Sequence, residues 1–178
     1  MLLLRLFKLP ILTGLLVASL AAPAAAEDRA MLETQLRGLK KPEDQKVLRA
    51  ASAACLLGLG EVEAIAAPFV AAGWERMDDP EMGMTSLTPP AGNAYVSLYD
   101  EGRICDVSSE VWGTDTALGA VQVLSGVAGL SQDSIDRADG CISMGLTPGA
   151  TVTVTSSGND PVCQSETTST LRFETVGG

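Results

Sequence analysis

The chain has 178 residues, no histidine, and twelve basic against twenty-two acidic residues, for a formal net charge of −10. The missing imidazole excludes Ser/His/Asp and Cys/His hydrolases. The negative balance argues against nucleic acid or an anionic membrane surface as partner and leaves a cationic protein open.

Residues 1–26 read as a secretory signal peptide. Arg5 and Lys8 form a short positive stretch, Ile11 to Ala22 is uncharged and mostly apolar, and Ala24-Ala25-Ala26 supplies the small residues of a cleavage site before Glu27. The apolar run is broken by Pro10 and Gly14 and falls short of the roughly 20 residues a bilayer span needs, so no stable membrane insertion is expected after cleavage. The expected working form is a single α+β domain, residues 27–178, periplasmic or secreted. The leader carries two basic residues and no acid, so its removal moves the charge from −10 to −12. What remains is asymmetric. Residues 27–49 hold Arg29, Arg37, Lys40, Lys41, Lys46 and Arg49 against five acids, whereas from Ala50 onward four arginines face seventeen acids. Docking of the basic arm on the acidic body is the expectation.

Asp28 to Leu39, with Leu32, Leu36 and Leu39, has the spacing of a short amphipathic helix. A second helix begins at Pro42 and places Val47, Leu48, Ala51, Ala54, Cys55 and Leu59 on one face, with Gly58 and Gly60 as its stop. A third carries Val62, Ile65, Ala66, Phe69 and Val70 and ends at Gly73, with Trp74 placed to fold back on the last turn. Asp78 to Asn93, rich in proline and glycine, reads as a long loop that holds at most a short strand over Met84–Leu87. A hairpin follows. Ala94–Tyr99 alternates, Asp100-Glu101-Gly102 turns with glycine available for a left-handed position, and Arg103–Val107 returns. Val96 and Leu98 are expected to face the core and Tyr95 and Tyr99 the opposite side.

Thr114 and Asp115 cap a long apolar helix, Thr116–Leu130, expected to be central and covered on several sides. The acids at 133, 136 and 139 recur every third residue. That rhythm does not fit a calcium loop, which alternates every second residue, and suits the solvated face of a helical turn. Thr151–Thr155 and Thr170–Val176 alternate about a turn at 158–161 and form a second hairpin. No internal repeat is visible. The expected fold class is α+β: N-terminal helices, an antiparallel sheet built from two hairpins, and one long apolar helix, stapled by disulfides.

Cys55, Cys105, Cys141 and Cys163 are spaced by 50, 36 and 22 residues with no C-x-x-C, a pattern that suits neither zinc nor a thioredoxin-like motif. Three connectivities are open. Cys55–Cys105 and Cys141–Cys163 are favoured because each would join neighbouring elements. No metal, cofactor or nucleophile motif is visible, and no catalytic residue is singled out. The function expected is that of an exported, non-catalytic binding, inhibitory or accessory protein of the cell envelope. Its partner would be a protein there, and its candidate binding residues are Trp74, Tyr95, Tyr99 and Trp112 near the Met77–Asn93 segment. The alternative is a carboxylate-dependent hydrolase acting on glycan or cell-wall material, with Asp78, Asp79, Glu81, Asp106 and Glu110 as its acids.

Overall fold

The structure is a computed structural model that describes residues 22–41, 44–130, 133–136, 141–147, 149–157 and 162–176. Residues 1–21 of the expected signal peptide lie outside the described residues, as does the expected turn at 158–161. The expected cleavage point falls inside the first helix, α1 (Ala22–Gln35). A short 3-10 helix (Leu36–Lys40) follows, then α2 (Asp44–Gly58) and α3 (Val62–Ala71).

The strands β1 (Glu75–Asp79), β2 (Met84–Thr88), β3 (Ala94–Tyr99) and β4 (Ile104–Ser109) precede α4 (Thr114–Val127). After it come β5 (Asp133–Asp136), β6 (Ile142–Thr147), β7 (Ala150–Thr155) and β8 (Ser169–Thr175). All eight strands form one antiparallel sheet in the order β1-β2-β3-β4-β8-β7-β6-β5. The fold is therefore α+β, with each expected hairpin extended into a four-stranded meander. The order of elements repeats: α3 leads into β1–β4, α4 into β5–β8, and the last strands of the two units, β4 and β8, pair at the middle. Nothing in the residues themselves shows this doubling.

Two segments differ from expectation for the same reason. The stretch taken as a loop from Asp78 holds the end of β1 and all of β2, the strand allowed over Met84–Leu87, and the missed strand is β1. The two are joined by a turn at Asp79, whose Oδ1 accepts hydrogen bonds from the backbone N–H of Glu81 (3.0 Å) and Met82 (3.1 Å). Asp133–Asp136 is a strand paired with β6, not a helical turn. β1 and β5 are the two edge strands, and polar, charged edge sequence hides the alternation by which interior strands are recognised.

The helices cover one face of the sheet. Leu87, Val96, Leu98, Cys105, Val107, Leu171, Phe173, Val152 and Val154 pack with the buried faces of the helices into one core. Within that layer α2 holds the central place and packs against the other helices and against β3, β4 and β8. Its alanines at 50, 51, 53 and 54 are all buried, small enough for close approach from several sides. The expectation that α4 would be central is overturned: it buries Ala117, Val121 and Leu124 but leaves Val123 and Val127 exposed. Apolar residues around a helix mark burial only where the topology supplies neighbours on each side.

The disulfides are Cys55–Cys105, from α2 to β4, and Cys141–Cys163, with Cα separations of 5.8 and 4.9 Å. Such bonds form and persist outside the reducing cytosol. Among the described residues no helix is long and apolar enough to cross a membrane. The β3–β4 turn uses positive φ at Asp100, Glu101 and Gly102. Glycine is needed at 102, where a Cβ would lie 2.8 Å from the backbone nitrogen of Val62, because the turn packs on the α2–α3 junction.

Candidate functional site

Strand alternation sends every second residue to the face opposite the helices, and the pairing registers align these residues in rows. The central row runs Met77, Ser86, Ser97, Asp106, Arg172, Thr153, Ser143 from β1 to β6. A second row on the same face runs Asp79, Met84, Tyr99, Ile104, Glu174, Thr151, Gly145. Small hydroxyl residues dominate the middle of this face and bond to one another across the strands. Ser108 lies 2.8 Å from Thr170 and Ser143 lies 2.7 Å from Thr153, oxygen to oxygen.

At the centre, the Arg172 guanidinium donates to both carboxylate oxygens of Asp106, Nε to Oδ1 at 2.8 Å and Nη2 to Oδ2 at 2.6 Å. The Asp106 side chain is 4% exposed and that of Arg172 14%. The hydrogen bonding to Asp106, then that carboxylate's charge, raises the Arg172 pKa above the usual guanidinium value and keeps it charged. This planar fork on a carboxylate fixes the mutual register of β4 and β8.

The more open part of the face lies toward β1–β4. Met84, Tyr99 and Ile104 are successive cross-strand neighbours and each is partly exposed. Met77 is exposed on β1, and Tyr95 is exposed on β3, four residues from Tyr99 on the same side. Glu75, Asp79 and Glu174 occupy the same face around these side chains, so a partly apolar strip carries an acidic border. Beside its Ile104 end lies a cavity of about 440 Å³ lined by Asp100, Arg103, Ile104, Thr151, Glu174, Thr175 and Val176.

Of the four residues singled out in the sequence, Tyr95 and Tyr99 come together on this face. Trp74 does not. It is 4% exposed, its ring stands edge-on to Phe69 with centroids 4.8 Å apart, and its Nε1 donates to the Leu39 carbonyl at 3.2 Å. Trp112, in the connection from β4 to α4, is half-buried against the core. Met84 and Ile104 were missed because cross-strand neighbourhood depends on register, which local sequence does not state.

Three of the five carboxylates proposed for hydrolysis, Asp78, Asp79 and Asp106, are held by other groups. Asp106 is bound by Arg172. Asp78 accepts from Thr85 Oγ1 at 2.7 Å and from Arg76 Nε at 3.0 Å. Asp79 holds the β1–β2 turn, while Glu81 and Glu110 are exposed. Glu63, on α3, receives Arg76 through two bonds of 2.9 and 2.8 Å. Those bonds, then the guanidinium charge, hold the Glu63 carboxyl below its ordinary range. The Thr85 bond, then Arg76, does the same for Asp78. Arg76 is correspondingly pushed upward, first by Glu63 and then by Asp78. Among the described residues no group of three or more acids and cysteines is placed to hold a metal ion. No family model matches the chain, and neither does any curated protein or solved structure.

Proposed function

We propose that this protein is exported to the cell envelope or beyond and acts there without catalysis, as a binding, inhibitory or accessory protein. The partly exposed row Met84–Tyr99–Ile104, flanked by Met77 and Tyr95, carries this reading. Methionine and tyrosine give large contact area, methionine with adaptable shape and tyrosine with few torsions to immobilise. The acidic border formed by Glu75, Asp79 and Glu174 suits a basic protein segment, since complementary potentials steer encounter. The leader at residues 1–26 and the two disulfides support export, and the engagement of Asp106 by Arg172 weighs against the hydrolase alternative.

The test is capture from an envelope extract under oxidising conditions, with the doubly substituted Tyr95→Ser/Tyr99→Ser protein as control. A partner retained by the unaltered chain and lost from the control, at unchanged melting temperature, supports the reading. Turnover in a hydrolase screen with no partner captured overturns it. Mass measurement of the exported protein, expected to begin at Glu27, tests the leader independently.

A further inference from the structure

Among the described residues no ion pair joins Arg29, Arg37, Lys41 or Arg49 to the acidic body. Arg29 pairs with Glu33 in its own helix at 3.1 Å, and the other described ion pairs join residues beyond position 60. The segment is held by apolar contact instead: Leu32, Leu39, Val47 and Leu48 are buried in the common core. Its cations are thereby left on one side. Arg37, Lys41, Lys46 and Arg49 together line an open cleft of about 290 Å³ between the 3-10 helix and α2. None of Arg37, Lys41 and Arg49 has a carboxylate partner among the described residues.

Local packing forces these like charges together. Gly38 lies so close to α2 that a Cβ there would be 2.5 Å from the Lys46 carbonyl oxygen and 3.0 Å from Ala50 Cβ. Only glycine lets the 3-10 helix settle on α2, and that contact brings Arg37 and Lys41 beside Lys46 and Arg49. The tryptophan bond to the Leu39 carbonyl fixes the same turn from the core side. Arg49 is half-buried, and its Nε–H is shielded from solvent with no acceptor. A buried donor in that state costs about 1–3 kcal/mol. The cations of Arg37, Lys41 and Arg49 at one cleft and an orphaned guanidinium N–H are two unfavourable features at one place, and a single anion relieves both.

We propose that this cleft binds a small, free oxyanion of the phosphate type, with Arg49 and Arg37 sharing its oxygens and Lys41 and Lys46 completing the charge. Guanidinium groups match such oxygens through paired N–H donors. The net charge of −10 does not oppose it. Screening confines Coulomb interactions to about 8 Å at physiological salt, so an ion inside the cleft feels Arg37, Lys41 and Arg49 first. An extended polyanion would also lie against the acidic body and be repelled. The volume of 290 Å³ sits at the lower limit of pockets that enclose small ligands, about 300–1,000 Å³, which fits a compact ion.

The test is NMR titration of the oxidised protein, produced from the full chain, with inorganic phosphate at constant ionic strength against chloride. The expected result is saturable binding with shifts confined to residues 34–49. Arg37→Gln/Lys41→Gln, both exposed and so neutral to the fold, should weaken binding about tenfold or more. Arg49→Lys keeps the charge, loses the planar fork, and should also bind more weakly. Equal shifts with chloride, unchanged affinity in the double variant, or binding to phosphatidic acid vesicles without any response to inorganic phosphate would each overturn the proposal.

Discussion

Arg172 on β8 and Asp106 on β4 stand directly opposite each other at the middle of the sheet, 66 residues apart in the chain, joined by two hydrogen bonds. Asp106→Ala leaves a largely buried guanidinium without its carboxylate and should cost about 3–5 kcal/mol. Replacing the pair together, Asp106→Ser with Arg172→Thr, continues the hydroxyl row and should cost less than the aspartate change alone. Urea unfolding of Asp106→Ala, and of Asp106→Ser, Arg172→Thr and their double variant read as a cycle, checks both statements.

The disulfides close loops of different length, with sequence separations of 50 and 22. Loop-closure entropy gives about 4 kcal/mol for Cys55–Cys105 and about 3 kcal/mol for Cys141–Cys163. Paired Cys→Ser substitutions should therefore both lower stability substantially, the first slightly more. Denaturant midpoints under non-reducing conditions provide the measurement.

Two glycines of α4 should respond with opposite sign. Gly113 caps the helix with its Cα pressed against the backbone of Ser165 and Glu166, so Gly113→Ala must push that segment away and destabilise the fold. Gly119 is inside the helix, and a Cβ there would meet nothing within 4 Å. Gly119→Ala should raise stability by about 1 kcal/mol through helix propensity. Thermal melts of the two variants decide.

Ser52 is 1% exposed and its hydroxyl has no hydrogen-bond partner. Ser52→Ala removes a desolvated polar atom without changing the packing of α2, and should stabilise by about 1 kcal/mol. A lower midpoint in urea would contradict the burial argument.

Glu63 and Asp78 titrate lower in the folded chain than in the unfolded one, because the folded chain gives their carboxylates donors. Their contribution to stability is complete above the unfolded values, about 4.3 and 3.9, and is lost as pH falls through the lower folded ones. In Arg76→Gln the Glu63 midpoint should return to its ordinary value, since its lowering comes from Arg76. Asp78 should recover only in part, because Thr85 still donates to it. Carboxyl NMR titration distinguishes the two.

Tyr95, Val96, Leu98 and Tyr99 declared their faces in the sequence because an interior strand half-covered by helices must alternate. Both disulfides are the pairs favoured among three open connectivities because each would join neighbouring elements. β1 and β5 declared nothing. Their residues are charged because they are edges, and being an edge is a property of the finished sheet. The same holds for the site: the tyrosines were legible from alternation, while Met84 and Ile104 join them only through strand pairing. Arg37, Lys41, Lys46 and Arg49 were visible as a charge excess, but the cleft they line depends on how closely Gly38 lets two helices approach. Trp74 illustrates the opposite error, since an aromatic just beyond a helix end is as well placed for the core as for a ligand.

The central position of β4 also governs how the chain assembles. In a chain that emerges from its N-terminus, β4 is complete long before residues 169–175 arrive, and until then its outer edge has no neighbour. An unpaired strand of this length is a template for association with other chains. Asp106 sits midway along it, and a bare carboxylate there opposes pairing with another copy of β4, which would bring a second Asp106 nearby. Arg172 converts that repulsion into attraction when β8 docks. Asp106 alone thus guards the unfinished edge, and its pairing with Arg172 closes it.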